Sequence, residues 1–499
     1  MKKNLGIISI LIIIATLFVT VFSHTTSPIY PCINPTYTDS PAFQIIGKYW
    51  SEGFIPYKDL WDMKGPYIFL MNAMGYGLTD TRTGVYLLQI VFMTITLFGI
   101  FKMYRLYYSL RHSFVMTSVS LMPLFYVYDG GNLVAEYLLP FLSFSFYYIL
   151  RWVNGIEQSQ KIEHNPNYAI LYGIVFGICL MSRLTNALSI CGVVTVIFFV
   201  LFYKKKYKNL VYNICTFIIG FSCSTLPFFL YFDYHHALAD MWKATFIYPM
   251  EYALHSSKNM VGIVGLFQFI FYYWNSILLL VVSALLVVHN QRVTIRTLLW
   301  FMAAFLPFLW FCQGNGIANY GMIVFPLFTI AMIELSNLRL NKVFLSVMIV
   351  IFITSARKFF YNYILYDWQN TESSNCIRFL NTVPNINYSS FVVYNYAPSI
   401  YLDLDIRPAV PFFAMQGIAF KKKLTLCNDI INSFQEKQPE WILISNNEIG
   451  LSNLQPILDK DYNLVAVQED KHLLLYEKKI KATTYYTLLT EIVYSKINR

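Results

Sequence analysis

The sequence predicts a polytopic α-helical membrane protein that carries a small α/β domain at its C-terminal end. The chain of 499 residues is 57% hydrophobic and only 13% charged, which lies well outside the composition of soluble globular proteins. Apolar runs long enough to cross a bilayer recur along the first two thirds of the chain. Beyond residue 360 these runs give way to short strand-like segments separated by prolines, a pattern typical of a folded domain outside the bilayer.

Eleven apolar runs are the predicted transmembrane helices. The first predicts a membrane anchor rather than a cleaved signal peptide, because its apolar core is long and no small-x-small cleavage site follows it. The third and fifth runs are the shortest. The runs cover residues 5–23, 84–104, 114–128, 134–152, 168–182, 187–203, 210–231, 261–288, 297–313, 320–336 and 342–356.

The distribution of charge predicts how this helical bundle is oriented. With the N-terminus inside, the loops on that side carry fifteen Lys and Arg residues against three acids, including the basic run Lys204–Lys208. The opposite side, as far as residue 358, carries nine basic and ten acidic residues. This is the positive-inside pattern, and it places both Tyr37–Gly65 and residues 361–499 outside. The formal charge of +10 therefore reflects topology and predicts no nucleic-acid partner.

The segment Tyr37–Gly65 is unusually rich in charge for so apolar a chain. Asp39 is a favourable N-cap residue, Pro41 suits a first helical turn and Gly53 a helix end, which together predict a short helix. A second short apolar helix follows Gly65. The charged loop 55–64 between them is expected at the depth of lipid headgroups, where a phosphate on a lipid would lie.

Further polar residues lie on the same predicted outer face. Ionisable groups at a membrane edge are costly unless they are paired or used, so their concentration on one face points to function. An acid here is a candidate general base, and a basic residue a candidate ligand for a phosphate leaving group. The polar residues of this face are Asn132 and Glu136 at the fourth run, Arg183 and Asn186 between the fifth and sixth runs, and Asn319 and Tyr320 before the tenth run.

The C-terminal region predicts an α/β domain of residues 361–480, outside the membrane and followed by a tail, 481–499. Its predicted strands are 391–396, 441–445, 462–468 and 472–477. The segments Ser373–Asn381 and Ala414–Phe434 are predicted to contain helices. Residues 1–360 form the predicted membrane domain, with residues 24–83 as its first outer loop. Of the eight cysteines, those within apolar runs act as small apolar residues, and no pairing among Cys32, Cys376 and Cys427 follows from the sequence.

Three features resemble the GT-C membrane glycosyltransferases, the group that includes protein mannosyltransferases (family 39) and the aminoarabinose transferase that modifies lipid A. The first is an acid, Asp39, placed soon after the first helix. The second is the loop Pro56–Pro66, which is similar to the Tyr-x-x-Lys-Pro/Gly-Pro loop of that group. The third is Asn132-x-x-x-Glu136, with the later loops that hold Arg183, Asn186 and Asn319-Tyr320.

The resemblance implies an enzyme that takes a sugar from a polyprenyl-phosphate donor at the outer face of the plasma membrane, transfers it to a hydroxyl of a glycan, lipid or protein acceptor, and inverts the anomeric centre. Cell-envelope glycan assembly fits such a role. Asp39 is then the base, or holds a divalent metal ion, and Glu136 is a second acid. Lys64, Arg183 and Lys58 are the implied ligands of the donor phosphate. Asn132, Asn186, Asn319 and Tyr320 line the pocket. Met63 and Asn319 stand where that group often has an acid or histidine, which weakens the metal site.

Each of these residues also has a purely structural interpretation. Asp39 is favourable as a helix cap, Lys64 as a lysine that extends toward lipid headgroups, and Glu136 as an ion-pair partner of Arg183. Two rival functions stay open as well, a flippase for lipid-linked sugars and a polymerase of polysaccharide repeat units. A flippase favours charges and broken helices near the bilayer midplane, whereas here the acids lie at one face. A polymerase does not predict the loop that holds Lys64.

Overall fold

The computed structural model describes residues 2–30, 39–255, 263–312, 318–360, 371–396, 398–414, 416–445, 451–468 and 472–479. The predicted tail 481–499, Cys32 and the turn before Ala318 lie outside these residues.

The first two thirds of the chain are helical. The segments between helices include short 3₁₀ turns at Glu136–Leu138, Leu184–Ala187 and Ala318–Val324 and a π-helical turn at Lys243–Ile247. The helices are α1 (Lys2–Phe22), α2 (Asp39–Ser51), α3 (Pro66–Thr79), α4 (Arg82–Tyr104), α5 (Leu110–Val119), α6 (Leu124–Val127), α7 (Leu139–Ser159), α8 (Pro166–Leu180), α9 (Leu188–Tyr203), α10 (Tyr207–Tyr234), α11 (Leu238–Trp242), α12 (Tyr248–His255), α13 (Ile263–Asn290), α14 (Ile295–Phe311), α15 (Phe325–Asn337) and α16 (Asn341–Phe359).

All eleven predicted runs contain helix, but not all are continuous. Within the described residues, five helical segments are long and apolar enough to cross a bilayer: Arg82–Tyr104, Leu184–Tyr203, Tyr207–Tyr234, Tyr272–Asn290 and Asn319–Asn337. Three shorter apolar helices, Gly6–Phe22, Pro166–Leu180 and Ile295–Phe311, accompany them. The third predicted run is broken into α5 and α6 by a turn before Pro123, because proline removes a backbone donor that a continuous helix needs. The chain is thus a polytopic helical bundle, and eleven crossings stay a prediction.

Glycines set which helices of the bundle approach each other. A Cβ on Gly173 or Gly220 would overlap backbone carbonyls of the partner helix, which shows that α8 and α10 lie in close contact. Gly192 brings α9 equally close to Met302 of α14. Small residues allow this backbone approach between membrane helices. As a result, α10 packs along α8, whereas α9 packs along α14.

A four-stranded mixed sheet forms the C-terminal part of the described chain. Its strands are β1 (Phe391–Tyr394), β2 (Trp441–Ser445), β3 (Tyr462–Gln468) and β4 (Leu473–Lys478), and they match the four predicted strand segments to within two residues at each end. The spatial order is β1-β2-β4-β3, with β1 and β2 parallel and the other pairs antiparallel. The helices of this part are α17 (Glu372–Leu380), α18 (Ser399–Asp403), α19 (Gln416–Lys422), α20 (Leu426–Lys437) and α21 (Leu451–Asp461). Helix α19 and most of α20 lie in the segment Ala414–Phe434, which was predicted to contain helices.

The α/β part packs directly on the charged segment after α1. The backbone N–H of Trp61 donates to the Pro411 carbonyl at 3.0 Å, and its indole packs on the Phe412 ring. Lys48 on α2 forms an ion pair with Asp405. A second contact joins α12, where the Glu251 carboxylate accepts hydrogen bonds from Thr425. The α/β part and the loop 55–64 are therefore on the same side of the bundle.

This packing allows a specific prediction of membrane topology. The charge bias, together with the packing of the α/β part on the loop 55–64, predicts that Lys205 and Asn463 lie on opposite sides of the membrane. With the native cysteines removed, Asn463→Cys is expected to react with an impermeant maleimide in intact cells, and Lys205→Cys only after lysis; both positions are exposed. Reaction of Lys205→Cys in intact cells would overturn the orientation.

Candidate active site

The site begins at the first residue of α2. Asp39 opens that helix, and its side chain is 46% exposed. The next residue, Ser40, is buried, and its hydroxyl accepts hydrogen bonds from Asn132 at 3.0 Å and from Gln44 at 3.2 Å. Ser40 thus anchors the start of α2 to a neighbouring loop, which leaves Asp39 facing outward at a fixed point.

The loop after α2 is folded back on itself. Tyr57 takes a left-handed conformation with φ of 71°, and its N–H donates to the Leu60 carbonyl at 2.7 Å. Its buried hydroxyl reaches across the loop to the Lys64 carbonyl at 2.8 Å. The Asp62 carboxylate accepts the Lys64 backbone N–H at 2.9 Å. Two independent hydrogen bonds therefore fix the backbone at Lys64.

Glycine at position 65 docks this loop on the end of α8. The N–H groups of Gly65 and Tyr67 donate to the carbonyls of Ser182 (3.2 Å) and Met181 (3.0 Å). A Cβ at position 65 would overlap the Met181 carbonyl, so the close approach requires glycine. Since Arg183 directly follows Ser182, this docking brings Lys64 and Arg183 into one site.

Four charged side chains meet at this point. The Lys64 ammonium lies 3.9 Å from the Asp39 carboxylate, and Asp62 interacts electrostatically with both. The Arg183 guanidinium lies over the Tyr320 ring, 3.4 Å from its centroid, and donates to Thr185 at 3.1 Å. Cation–π stacking of this kind fixes the plane of a guanidinium while leaving its outer N–H groups available.

Burial shifts the protonation of the cluster. It raises the pKa of the Asp62 carboxyl to about 6, even though Lys64 opposes the shift. Burial alone lowers the pKa of the Lys64 ammonium, but Asp39 and Asp62 outweigh it, and the net pKa lies above its ordinary value. Lys64 is thus a stable cation. Asp62, which the sequence analysis did not single out, is 3% exposed; its signal in the sequence was only its place two residues before Lys64.

The Asn132–Glu136 motif supports the charged cluster through a hydrogen bond to the start of α2. The Asn132 side-chain amide donates to Ser40 and to Asn72 (2.9 Å), and its carbonyl accepts from Tyr137 at 2.9 Å. Asn132 is fully buried and has a φ of 56°. Asn132 therefore helps to position Asp39 indirectly, through its hydrogen bond to the neighbouring Ser40.

Glu136 is buried, and donors surround its carboxylate. It accepts hydrogen bonds from the Gln89 side chain at 3.0 and 2.9 Å, from the Asn132 backbone at 2.8 Å and from the Tyr128 hydroxyl. Within the described residues it forms no ion pair with Arg183, so the pairing considered above is wrong. These contacts hold Glu136 away from the open face on which Asp39 lies.

The remaining predicted residues are placed differently. Lys58 is exposed and forms no ion pair in the part of the chain that the structure describes. Asn319 precedes Tyr320 in the 3₁₀ turn. Asn186 is fully buried, and neither atom of its amide has a hydrogen-bond partner among the described residues. Asn186 lies three residues after Arg183 in the chain.

The described residues contain no preformed cluster of metal ligands. A structural metal site such as a Zn²⁺ site takes three or four His, Cys, Asp or Glu ligands, whereas Mg²⁺ needs only one or two carboxylates together with substrate phosphates and water. No group of three or more His, Cys, Asp or Glu side chains in the described ranges is arranged to hold a metal ion. The two carboxylates of the cluster, Asp39 and Asp62, both interact with Lys64.

Part of the chain matches a known family. The family model of dolichyl-phosphate-mannose-protein mannosyltransferases matches residues 63–227, which include Lys64, Asn132, Glu136 and Arg183. No curated protein matches the sequence.

Comparison with solved structures addresses the fold. ArnT from Cupriavidus metallidurans in the apo state has a TM-score of 0.55 at 11% identity, over 95% of this chain and 98% of that one. The same protein bound to undecaprenyl phosphate has a TM-score of 0.46 at 12% identity, over 96% and 99%. The Archaeoglobus fulgidus oligosaccharyltransferase, in complex with Zn and sulfate, has 0.40 at 12% identity, over 94% and 73%. The apo ArnT likeness and the family model confirm the predicted resemblance to GT-C membrane proteins.

Proposed function

We propose that this chain is a membrane glycosyltransferase that transfers a sugar from a polyprenyl-phosphate donor to an acceptor hydroxyl at the outer face of the plasma membrane. The observation that carries the proposal is that two cations, Lys64 and Arg183, lie together beside Asp39. They are on the side of the bundle where the α/β part packs. The family description, which names a dolichyl-phosphate sugar, and the GT-C-like fold support the same class of reaction.

The two cations suit the phosphate of the donor. Lys64 supplies a point charge that Asp39 and Asp62 keep protonated. Arg183 supplies a flat guanidinium whose orientation Tyr320 fixes, and such a fork matches phosphate oxygens. When the bond between the anomeric carbon and the phosphate oxygen breaks, negative charge develops on the polyprenyl phosphate. Lys64 and Arg183 stabilise that charge where it forms.

Asp39 is the group that takes the acceptor proton. The acceptor oxygen attacks the anomeric carbon, its proton passes to the Asp39 carboxylate, and the polyprenyl phosphate leaves with the bonding electrons. A single displacement of this kind inverts the anomeric centre. Asp39 fits the role because it is part-exposed and lies 3.9 Å from the lysine that binds the leaving group. Asp62 is buried and tied to the loop backbone, so we assign it to the positioning of Lys64.

Loss of the Lys64 charge tests the donor site. Lys64→Ala is expected to lower transfer about tenfold to a hundredfold, because a hydrogen bond to a charged group is worth about 1.5–3 kcal/mol. Lys64→Arg is expected to restore part of the activity, since it keeps the charge but changes the geometry. The measurement is the rate of sugar transfer from a purified polyprenyl-phosphate sugar, at several donor concentrations.

Variants of two other lysines serve as controls for that measurement. Lys243 is exposed on the same predicted face, and Lys243→Ala is expected to be as active as the unmodified enzyme. The activity of Lys58→Ala is expected to fall far less than that of Lys64→Ala, because Lys58 is exposed and forms no ion pair among the described residues. Equal activity of Lys64→Ala and Lys243→Ala would refute the donor site.

A further inference from the structure

A groove opens between three helices on a different part of the bundle. It has a volume of about 130 Å³, and apolar atoms line it. Its walls come from α8, α9 and α10, including Tyr172, Val194, Leu201 and Leu210. Two further lining residues, Phe198 and Ile214, are each 40% exposed. The groove is therefore open to the surface that faces lipid.

The arrangement of glycines explains why the groove exists. Gly173 and Gly220 hold α10 against α8, whereas Gly192 holds α9 against α14. The ends of α9 and α10 are joined by only a short turn, yet the two helices pack on different partners. The space between them is consequently a built feature of the bundle. Along α9 it extends from Val194 to Leu201, about 10 Å at 1.5 Å per residue.

The polar side chains at one end of the groove already satisfy each other. A His164 ring nitrogen lies 2.6 Å from the Asn213 side-chain oxygen, and the other lies 3.3 Å from the Tyr172 hydroxyl. These groups need no ligand. What the groove lacks is an apolar occupant, since an open apolar cleft of this kind takes hydrocarbon.

A cluster of lysines lies at the same end. The turn that joins α9 to α10 follows the lining residue Leu201 and precedes the lining residue Leu210, and it carries Lys204, Lys205 and Lys206, with Lys208 in the first turn of α10. Lys206 is paired with Glu163 at 2.7 Å. Lys204, Lys205 and Lys208 are exposed and have no acidic partner among the described residues. An apolar groove thus ends at three uncompensated positive charges.

We propose that this groove and its lysines form a binding site for an anionic phospholipid of the inner leaflet. One acyl chain lies between α9 and α10, and the phosphate lies against Lys204, Lys205 and Lys208. Charge complementarity favours this occupant over a neutral lipid, since basic residues at the inner surface attract anionic headgroups. The open side of the groove accounts for entry from the bilayer. The proposal is independent of the sugar-transfer site, which lies at the opposite face by the predicted topology.

Lipid titration of the purified protein in detergent tests the site. Dioleoyl phosphatidylglycerol is expected to raise the melting temperature and to appear as a retained adduct in native mass spectrometry. The same concentration of dioleoyl phosphatidylcholine is expected to do neither. Glycerol 1-phosphate carries the headgroup charge without acyl chains, and it too is expected to be inactive because the groove contributes to binding.

Variants separate the headgroup from the chain. The triple change Lys204→Gln, Lys205→Gln and Lys208→Gln is expected to weaken phosphatidylglycerol binding at least tenfold. A matched triplet on the other face, Lys421→Gln, Lys422→Gln and Lys423→Gln, is expected to leave it unchanged. Ile197→Trp fills the groove and is expected to abolish binding; Ile197→Phe is the milder form if the tryptophan lowers the melting temperature without lipid.

Several results would overturn the proposal. Equal shifts with phosphatidylcholine would show a general lipid surface, and a shift with glycerol 1-phosphate would show a simple anion site. Concentration-dependent dimerisation that Ile197→Trp abolishes would show that a second copy fills the groove. Loss of the phosphatidylglycerol effect in Lys64→Ala would place the lipid in the donor site instead.

Discussion

Asp39→Asn is expected to reduce sugar transfer about a hundredfold or more while the protein still folds. A sugar hydroxyl is a poor nucleophile at neutral pH, and loss of a general base costs about 10²–10⁴ in rate. The substitution keeps the size of the side chain and removes only its charge. The measurement is single-turnover transfer from a defined polyprenyl-phosphate sugar, together with a melting curve for each variant.

The structure explains why the fold should tolerate this change. Loss of the Asp39 charge from the first turn of α2 costs only about 0.3–1 kcal/mol of helix-dipole interaction, and Ser40, not Asp39, makes the buried contacts that anchor α2. The ion pair with Lys64 is part-exposed and spans 3.9 Å, and pairs of this type contribute little to stability. A large loss of activity therefore cannot be attributed to unfolding.

Two further substitutions identify which carboxylate is the base. Asp80→Asn is the matched control, because Asp80 is exposed at the end of α3 in a left-handed conformation that asparagine also favours. It is expected to be fully active. Asp62→Asn is expected to weaken donor binding more than the chemical step, since Asp62 supports Lys64. An active Asp39→Asn enzyme would return Asp39 to the role of a helix cap, and a loss confined to the chemical step of Asp62→Asn would move the base to Asp62.

Glu136→Gln is a poor comparison for this purpose. The carboxylate accepts hydrogen bonds on both oxygens, from Gln89, Tyr128 and the Asn132 backbone. The side-chain NH₂ of a glutamine would face hydrogen-bond donors instead of accepting from them, so buried donors around it would be left without an acceptor. Loss of activity in that variant would report on the loop that carries Asn132.

The sequence predicted the elements of the site better than their assembly. Helix α2, its first residue and the loop that follows could be predicted because capping residues, proline and glycine act within a few positions of themselves. The four strands were predicted for the same local reason. The break between α5 and α6 was missed, although Pro123 marks it, because apolar composition alone dominated the interpretation of that run.

Contacts between distant segments were not predictable from one sequence. The docking of Gly65 on Met181, and hence the meeting of Lys64 and Arg183, depends on helices whose relative positions only the fold supplies. The ion pair of Lys48 with Asp405 joins residues far apart in the chain. Asp62 was overlooked because its burial, not its type or spacing, makes it unusual.

The second large effect concerns stability at the opposite end of the bundle. Arg296→Met is expected to lower the free energy of unfolding by about 3–5 kcal/mol, the usual cost of removing one partner from a buried ion pair. The Arg296 side chain is 9% exposed and donates to Glu334 (2.7 Å) and to Glu157 (2.7 Å). Glu334 is 1% exposed and also accepts from Trp300 at 2.9 Å. Without the arginine, a charge is left buried among α7, α14 and α15.

The size of this loss should depend on which partner is removed. Glu157→Gln is expected to cost no more than about 1 kcal/mol, because its side chain is half exposed. Arg292→Met, four residues earlier and exposed, is the matched control and is expected to change stability by less than about 0.5 kcal/mol. Unfolding by sodium dodecyl sulfate in mixed micelles gives the free energies on one scale.

The double variant Arg296→Met with Glu334→Leu discriminates a buried ion pair from simple packing. It removes both charges and fills their space with apolar groups, and such replacements are often neutral or stabilising relative to the pair. The double variant is therefore expected to be more stable than Arg296→Met alone, even though it carries one more substitution. If the two losses instead add, the arginine acts through its aliphatic stem and not through its charge, and the ion pair is not what joins these helices.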